Sequence, residues 1–350
     1  MTRVRDKFLS FLDERFDLDL LKKYFTKKTV PEHKYSFWYY FGGIALFLLV
    51  LQIVTGILLS FYYVPTPEKA NESVKFIMTQ VSYGWLIRSL HFWGANFLVA
   101  ILLVHMFSTF FLKAYRKPRE LMWMVGVLLI FLILGFAFTG YLLPWTSLSY
   151  FATKIGVSTP YIVPLVGKYL SLFLQGGEEV GGATLTRMYS LHTIVLPMLV
   201  TALVIIHIVL SQIFGSSVPL SQRNNAIGST RFYPDFALRD FAVWAGVLAI
   251  LVLFSAVAPE SVGQKANPIE PAPAGIKPEW YFLFVFQTLR MMPEIIAVGL
   301  ITLFLIFWIF VPFLDRKSSR EETGKLFTII GVVVLLYFLT TTVVAFLSKV

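Results

Sequence analysis

The chain has 350 residues, of which 57% are hydrophobic and only 14% charged, with a mean hydropathy of +0.72, a balance that excludes a soluble core of this size. Its formal net charge of +10 comes from 30 Lys and Arg against 20 Asp and Glu, and the basic residues collect beside apolar runs, so the charge reports membrane topology and no nucleic-acid site. Cysteine is absent, which excludes disulfides, iron-sulfur ligation by cysteines of this chain and thioether attachment of a c-type haem.

Residues 1–34 are strongly charged and carry Phe8, Leu9, Phe11, Leu12, Phe16, Leu18 and Leu20 between the charges. That pattern suits an amphipathic segment on the cytoplasmic-side membrane surface, or a soluble cap on the same face. It holds no long apolar run of the kind a cleavable signal peptide needs. Seven runs follow that reach the roughly 20 apolar residues a membrane helix requires. They lie at roughly 37–63, 84–112, 121–143, 189–214, 239–258, 295–313 and 326–348. The expected fold is therefore an all-α integral membrane protein of about seven transmembrane helices. Residues 35–215 form a four-helix bundle, residues 216–350 a three-helix C-terminal part, and the polar stretch Gly215 to Thr230 is the seam. The loop from Tyr141 to Met188 is long enough to hold structure of its own. In the segment Ala258 to Glu294, six prolines stiffen the chain, with room for a short surface helix between Pro278 and Pro293.

Nine Lys and Arg lie in residues 1–34, and Lys113, Arg116, Lys117, Arg119, Arg223, Arg231, Arg239, Arg316, Lys317, Arg320 and Lys325 fall on the same side, leaving ten of 30 for the other. The positive-inside rule then puts the N-terminus on the cytoplasmic or matrix side of a bacterial or organellar inner membrane, and seven spans put the C-terminus opposite.

Four of the five histidines fall inside two spans: His91 and His105 in the second, His192 and His207 in the fourth. Ionisable groups at membrane depth are costly, and a lone membrane histidine is commonly a helix-to-helix hydrogen bonder. Two matched pairs ask for more. The step from His91 to His105 advances about 21 Å and returns to within roughly 40° of the same helix face; that from His192 to His207 advances about 22.5 Å and lands roughly 60° away. Both spans run from outside to inside, so His91 meets His192 near the outer face and His105 meets His207 near the inner one. Paired neutral imidazoles are axial ligands for haem iron, and saturating the iron favours electron transfer over oxygen chemistry.

Gly42 and Gly56 in the first span, and Gly126 and Gly140 in the third, repeat the 14-residue histidine step. Glycine lets membrane helices approach; two pairs in this register also suit a flat group passing at two depths. Arg88 and Arg187 lie just outward of His91 and His192, where they either pair with haem propionates or serve as charged flanks.

These residues resemble the cytochrome b family of quinol:cytochrome c and quinol:plastocyanin reductases over essentially the whole chain. The resemblance rests on Tyr83-Gly84-Trp85-Leu86-Ile87-Arg88 ahead of His91, Gly140-Tyr141-Leu142-Leu143-Pro144-Trp145, Thr184-Leu185-Thr186-Arg187 ahead of His192, and Pro278-Glu279-Trp280-Tyr281. The 15-residue step from His192 to His207 and the loop Lys117-Pro118-Arg119-Glu120-Leu121 are similar to the photosynthetic branch, whose front and back halves are separate chains; here they are fused. The resemblance implies two haems b and a quinol-oxidising pocket at the outer face built from Pro278, Glu279, Trp280 and Tyr281 with Tyr141, Pro144 and Trp145. It also implies one electron passing to a Rieske-type iron-sulfur protein and on to a c-type cytochrome or cupredoxin. The other crosses the two haems to a quinone near the inner face, where Asp240 and His33 are candidates, and the cycle contributes to a proton gradient. A homodimer within a larger complex, in contact with lipid, is implied as well. Glu279 suits a proton acceptor, because burial in a partly apolar pocket raises a carboxylate toward the working range of a base; it also suits an ordinary helix-start Glu. Tyr281 either hydrogen-bonds the quinol or lines the pocket.

The chain departs from the family at two places. Tyr40 stands where the photosynthetic branch has the cysteine that attaches an extra haem, so an additional haem would have no covalent link. Ser108 stands where the family often has an arginine near the inner haem, with Lys113 or Arg116 as alternatives. Two other classes of function meet the same residues: a transporter whose histidines relay protons, and a dihaem carrier or assembly scaffold without a working quinol pocket.

Overall fold

A computed structural model describes Lys7 and residues 10–15, 27–222, 228–316 and 324–348. Most of the amphipathic stretch expected in residues 1–34, with Phe8, Leu9, Phe16, Leu18 and Leu20, lies outside the described residues, as do the topology markers Arg223, Lys317 and Arg320; residues 10–15 are helical.

Among the described residues seven helices are long and apolar enough to cross a membrane: Ser36–Ser60, Gly84–Phe111, Glu120–Tyr141, Gly182–Phe214, Phe232–Val257, Glu294–Leu314 and Leu326–Leu347. They are spans one to seven. Each coincides with one of the expected apolar runs, since in hydrocarbon only a helix satisfies every backbone N–H and C=O within its own segment. The first and second spans pack most extensively against each other, the third packs against the fourth, and the fifth and sixth lie against the second and third. Their apolar faces meet in a core containing Ile44, Leu48, Leu90, Leu98, Leu129, Val200 and, from the C-terminal part, Leu251 and Tyr281.

Span four, like span five at Phe232, starts ahead of its expected bound. It starts at Gly182 and contains a wider π turn at Leu191–Val195, closed by the Leu196 N–H on the Leu191 carbonyl. Pro197 follows, and a proline removes the N–H that a regular helix would offer one turn back, so the backbone widens locally. His192 sits in that turn.

The two ends of the bundle differ. At the loop-rich end the connection after span three folds into helices Ser147–Ser158 and Gly167–Gln175. Around them lies a second core of Leu142, Trp145, Tyr150, Val157, Leu185 and Met188. The proline-rich connection after span five ends in a 3-10 turn Trp280–Phe282 and a helix Leu283–Met291, the short helix expected between Pro278 and Pro293. At the other end, β1 (Thr29–Glu32) pairs antiparallel with β2 (Gly228–Arg231), Thr29 opposite Arg231, and so ties the N-terminal segment to the far end of the seam.

Candidate functional site

His91 and His192 face each other between spans two and four, ring centres 6.2 Å apart and planes inclined at 75°. An iron held in line by two imidazoles at about 2 Å sets their ring centres roughly 6 Å apart. His105 and His207 are likewise close enough to interact electrostatically. Among the described residues no group of three or more His, Cys, Asp or Glu could hold a metal ion; a haem iron takes its other four ligands from the porphyrin and needs only such a pair from the protein.

The imidazoles at the loop-rich end are oriented by neighbours. Thr55 Oγ1 donates to the Leu51 carbonyl at 2.7 Å, so it accepts from His91 Nδ1 at 2.9 Å. His192 Nδ1 lies 3.1 Å from the Phe136 carbonyl, which can only accept, and 3.3 Å from Thr139 Oγ1, whose own proton goes to the Gly135 carbonyl at 2.9 Å. Both Nδ1 atoms therefore carry the proton, which leaves the Nε2 lone pair for a metal. At the other end His105 Nδ1 is buried without a hydrogen-bond partner among the described residues.

Each of the four glycines lies against one of these rings. A Cβ would stand 3.3 Å from the His91 ring at Gly56, 3.4 Å from His105 at Gly42, 2.6 Å from His192 at Gly140 and 3.2 Å from His207 at Gly126. The 14-residue glycine repeat thus mirrors the histidine repeat because each glycine makes room for an imidazole. Thr55-Gly56 and Thr139-Gly140 are matching dipeptides, anchor and gap side by side, a signal present in the sequence and missed there.

Arg88 and Arg187 have protein partners. Arg88 donates to the carbonyls of Glu260 at 2.6 Å and Ser261 at 3.1 Å. Arg187 donates to the carbonyls of Leu172 and Phe173, where the helix Gly167–Gln175 ends. A guanidinium has five N–H donors, so these bonds orient the group without exhausting it.

Pro278 and Glu279 lead into the turn that carries Trp280 and Tyr281, closed by the Phe282 N–H on the Glu279 carbonyl at 2.8 Å. Trp280 Nε1 donates to Asn96 Oδ1 of span two at 2.8 Å, which fixes the turn on the bundle. Tyr281 is buried in the main core, and Tyr141, ending span three, is within electrostatic reach of both Tyr281 and Glu279. Burial, and secondarily the charge of Glu260, push the Glu279 carboxyl above the ordinary range. Burial also pushes the Tyr281 phenol well up, with Glu279 and Tyr141 adding to it. Pro144 and Trp145 sit differently. The Pro144 carbonyl accepts from Asn71 Nδ2 at 3.1 Å, and Trp145 is a core residue of the loop helices, edge-on to Tyr150 at 5.4 Å between ring centres.

At the opposite end the Asp240 carboxylate packs against Gly43, where a methyl group would collide with it. His33 accepts from the Tyr35 N–H at Nδ1 (3.1 Å), so its Nε2–H donates to Tyr39 Oη at 2.6 Å, and Tyr39 donates to the Ser217 carbonyl at 2.9 Å. Among the described residues no hydrogen bond or ion pair joins His33 to Asp240. Tyr40 stacks on Phe236, ring centres 4.7 Å apart and planes at 8°. Ser108 is buried and donates to the His105 carbonyl of its own helix. Lys113 pairs with Asp315 at 3.1 Å and Arg116 donates to the Val218 carbonyl at 2.8 Å.

Comparison with known proteins matches residues 25–215 to the family described as Cytochrome b/b6/petB and residues 265–349 to Cytochrome b(C-terminal)/b6/petD. The chain is 46% identical over 345 residues to the cytochrome bc complex cytochrome b subunit of Chlorobaculum thiosulfatiphilum, covering 97% of this chain and 80% of that one. It is 43% identical over 214 residues to cytochrome b6 of Synechococcus sp. (strain JA-3-3Ab), covering 61% of this chain and 99% of that one. Among solved structures, a chain of a hyperthermophilic respiratory Complex III superimposes with a TM-score of 0.86 at 30% identity, over 98% of this chain and 92% of that one.

Proposed function

The chain belongs to the cytochrome b/b6 family, as a fused form of its N- and C-terminal parts, and from that premise we propose that it oxidises quinol at its loop-rich end as the catalytic subunit of its complex. It is a multi-pass membrane protein of electron transport, the haem-bearing cytochrome b of a bc-type quinol-oxidising complex. The observation that carries the finer reading is the convergence of Glu279, Tyr281 and Tyr141 at the end of the bundle where His91 meets His192.

His91 and His192 would hold one haem b through Nε2, and His105 and His207 the other, with Gly42, Gly56, Gly126 and Gly140 admitting the rings and the spare N–H groups of Arg88 and Arg187 facing propionates. When bound, the haems supply one-electron carriers between the two faces of the membrane. Glu279, raised by burial and by a neighbouring carboxylate, accepts a quinol proton; Tyr281 and Tyr141 orient the quinol hydroxyl and keep water out, with Trp280 bonded to Asn96 as the anchor. The loop-rich end faces the outer compartment, where a Rieske-type iron-sulfur protein and then a c-type cytochrome or equivalent receive an electron, and the released protons add to a gradient. Asp240, with His33, forms the inner quinone site. The N-terminus lies inside and the C-terminus outside, and two copies associate in the assembled complex.

The test is quinol oxidation by the assembled complex carrying Glu279→Gln or Tyr281→Phe, alongside reduced-minus-oxidised spectra. Glu279→Gln is expected to slow oxidation by roughly 10²-fold with unchanged b-type bands, a typical loss for a general base. Unchanged rates in both variants would make the chain a dihaem carrier.

A further inference from the structure

The turn that carries Glu279 is preceded by a lysine whose head group reaches across to the end of span seven. Lys277 is partly buried, and its Nζ donates to the carbonyls of Phe346 at 2.8 Å and Ser348 at 2.7 Å. The last carbonyls of a helix have no partner within it and carry the negative end of its dipole, so an ammonium satisfies them and is held there by charge as well. Arg290, near the far end of the short helix Leu283–Met291, donates to Ser348 Oγ at 3.1 Å. Both ends of the segment Pro278 to Leu289 are therefore fastened at Ser348. Between them Thr288 Oγ1 lies 2.7 Å from Tyr337 Oη of the same span, a third bond to span seven.

Glu279 lies between two tethers that come from different spans. On one side Lys277 ties the chain to span seven, and on the other Trp280 Nε1 ties it to Asn96 of span two at 2.8 Å. Only Pro278 and Glu279 separate the two tethered residues. The proline ring fixes one backbone torsion, and the Glu279 carbonyl accepts from the Phe282 N–H at 2.8 Å, so the main chain that bears the carboxylate has little freedom left. A proton acceptor must sit within hydrogen-bond reach of the hydroxyl it serves, and a displacement of about 1 Å is enough to lose much of its effect.

We propose that Lys277 is a positioning residue for Glu279, tethering the turn to span seven so that the carboxylate is held where the quinol hydroxyl arrives. The proposal rests on the quinol-oxidation reading above. Lys277 acts through the main chain, because its ammonium is turned to the carbonyls of span seven. Span seven holds no histidine, and through this tether it bears on the reaction all the same. A plain helix cap would use the same two bonds, and the two roles part in a double-mutant cycle.

The experiment measures quinol oxidation and haem difference spectra of the intact complex carrying Lys277→Met, Lys277→Arg, Glu279→Gln, or Lys277→Met together with Glu279→Gln. Methionine keeps an apolar stem without donors and should slow oxidation roughly tenfold with unchanged haem bands. Lys277→Gln replaces it in the same comparison if the methionine variant does not assemble. Arginine can donate to both carbonyls and should restore the rate. In the Glu279→Gln background Lys277→Met should cause no further loss, because the tether then has no carboxylate to place. A wild-type rate in Lys277→Met, with Glu279→Gln strongly impaired, overturns the tether and leaves the quinol site standing. The same loss in both backgrounds, a loss that arginine does not restore, or altered haem bands shows that Lys277 only caps span seven, and also overturns it. If Glu279→Gln is itself unimpaired, the quinol reading fails.

Discussion

Gly140, Gly126, Gly56 and Gly42 differ in the room they leave beside an imidazole, and that difference predicts a graded series. A methyl group at Gly140 would stand 2.6 Å from the His192 ring, which cannot retreat because the Phe136 carbonyl and Thr139 hold its Nδ1, whereas at Gly42 the corresponding distance of 3.4 Å is ordinary contact. Gly140→Ala is therefore expected to lose or strongly shift one b-type band, while Gly42→Ala keeps both; visible difference spectra of purified complexes decide it, and equal behaviour would refute the ranking. Thr55→Val removes the acceptor from His91 Nδ1–H and makes that ligand less basic, so redox titration should show the affected haem at a higher midpoint potential. The shift should reach at most about 40 mV, the equivalent of a hydrogen bond of about 1 kcal/mol felt wholly by the oxidised state. For Glu279 the sign is fixed by the need for an ionised acceptor. Quinol oxidation should fall as pH drops through its raised value, beginning above the ordinary carboxylate range, and Glu279→Gln should lose that limb. The pairing of the four histidines and the placement of Glu279 near Tyr281 and Tyr141 were legible in the sequence because a rare residue at membrane depth, or a compact motif, announces itself. Thr55 and Thr139 were not, since threonine is unremarkable in an apolar helix until the ring it anchors is in view.

Elements at the short-loop end are joined by a buried ion pair. Lys113, after span two, bonds Asp315 at 3.1 Å and the Gly324 carbonyl at 3.0 Å, and Tyr115 donates to the same Asp315 oxygen at 2.8 Å, so the end of span six is fastened to the connection between spans two and three. Asp315 is 3% exposed, and removing it strands a buried ammonium. Asp315→Ala is expected to cost about 3 kcal/mol, the range for breaking a buried pair by deleting one partner. Asp315→Asn should cost less, because the amide oxygen still accepts from Tyr115. Thermal unfolding of the purified complex measures both; an unshifted midpoint in the alanine variant would remove this pair from the account of how span six is held. The element boundaries were readable where hydrocarbon alone decides them, as in spans three, six and seven. They were not readable in span four, where Thr184 to Met188 pack against the loop helices and extend the helix outward, and where the turn before Pro197 opens. Both depend on neighbours that a hydropathy run does not contain.

At the scale of the whole molecule, the front and back parts meet through contacts that do not use the chain linking them. Leu251 and Tyr281 enter the same core as Ile44, Leu48 and Leu90; Trp280 bonds Asn96; Arg88 and Trp93 hold the carbonyls of Glu260 and Ala258; and β1 pairs with β2. A break between Gln222 and Gly228 severs one covalent connection and leaves every one of these in place. The entropy lost on association is small when both pieces are confined to one membrane, because confinement raises their effective concentration. Residues 1–222 and 228–350, expressed together, should therefore copurify through a tag on either piece with both b-type bands intact. The front piece alone carries all four membrane histidines, but without Leu251 and Tyr281 part of its core is exposed to lipid, so it should bind haem and melt at a lower temperature. On the proposed topology, alkaline phosphatase fused after Val350 of the back piece should be active. Failure of the two pieces to copurify would mean that the polar seam, and not the shared core, holds the halves in register.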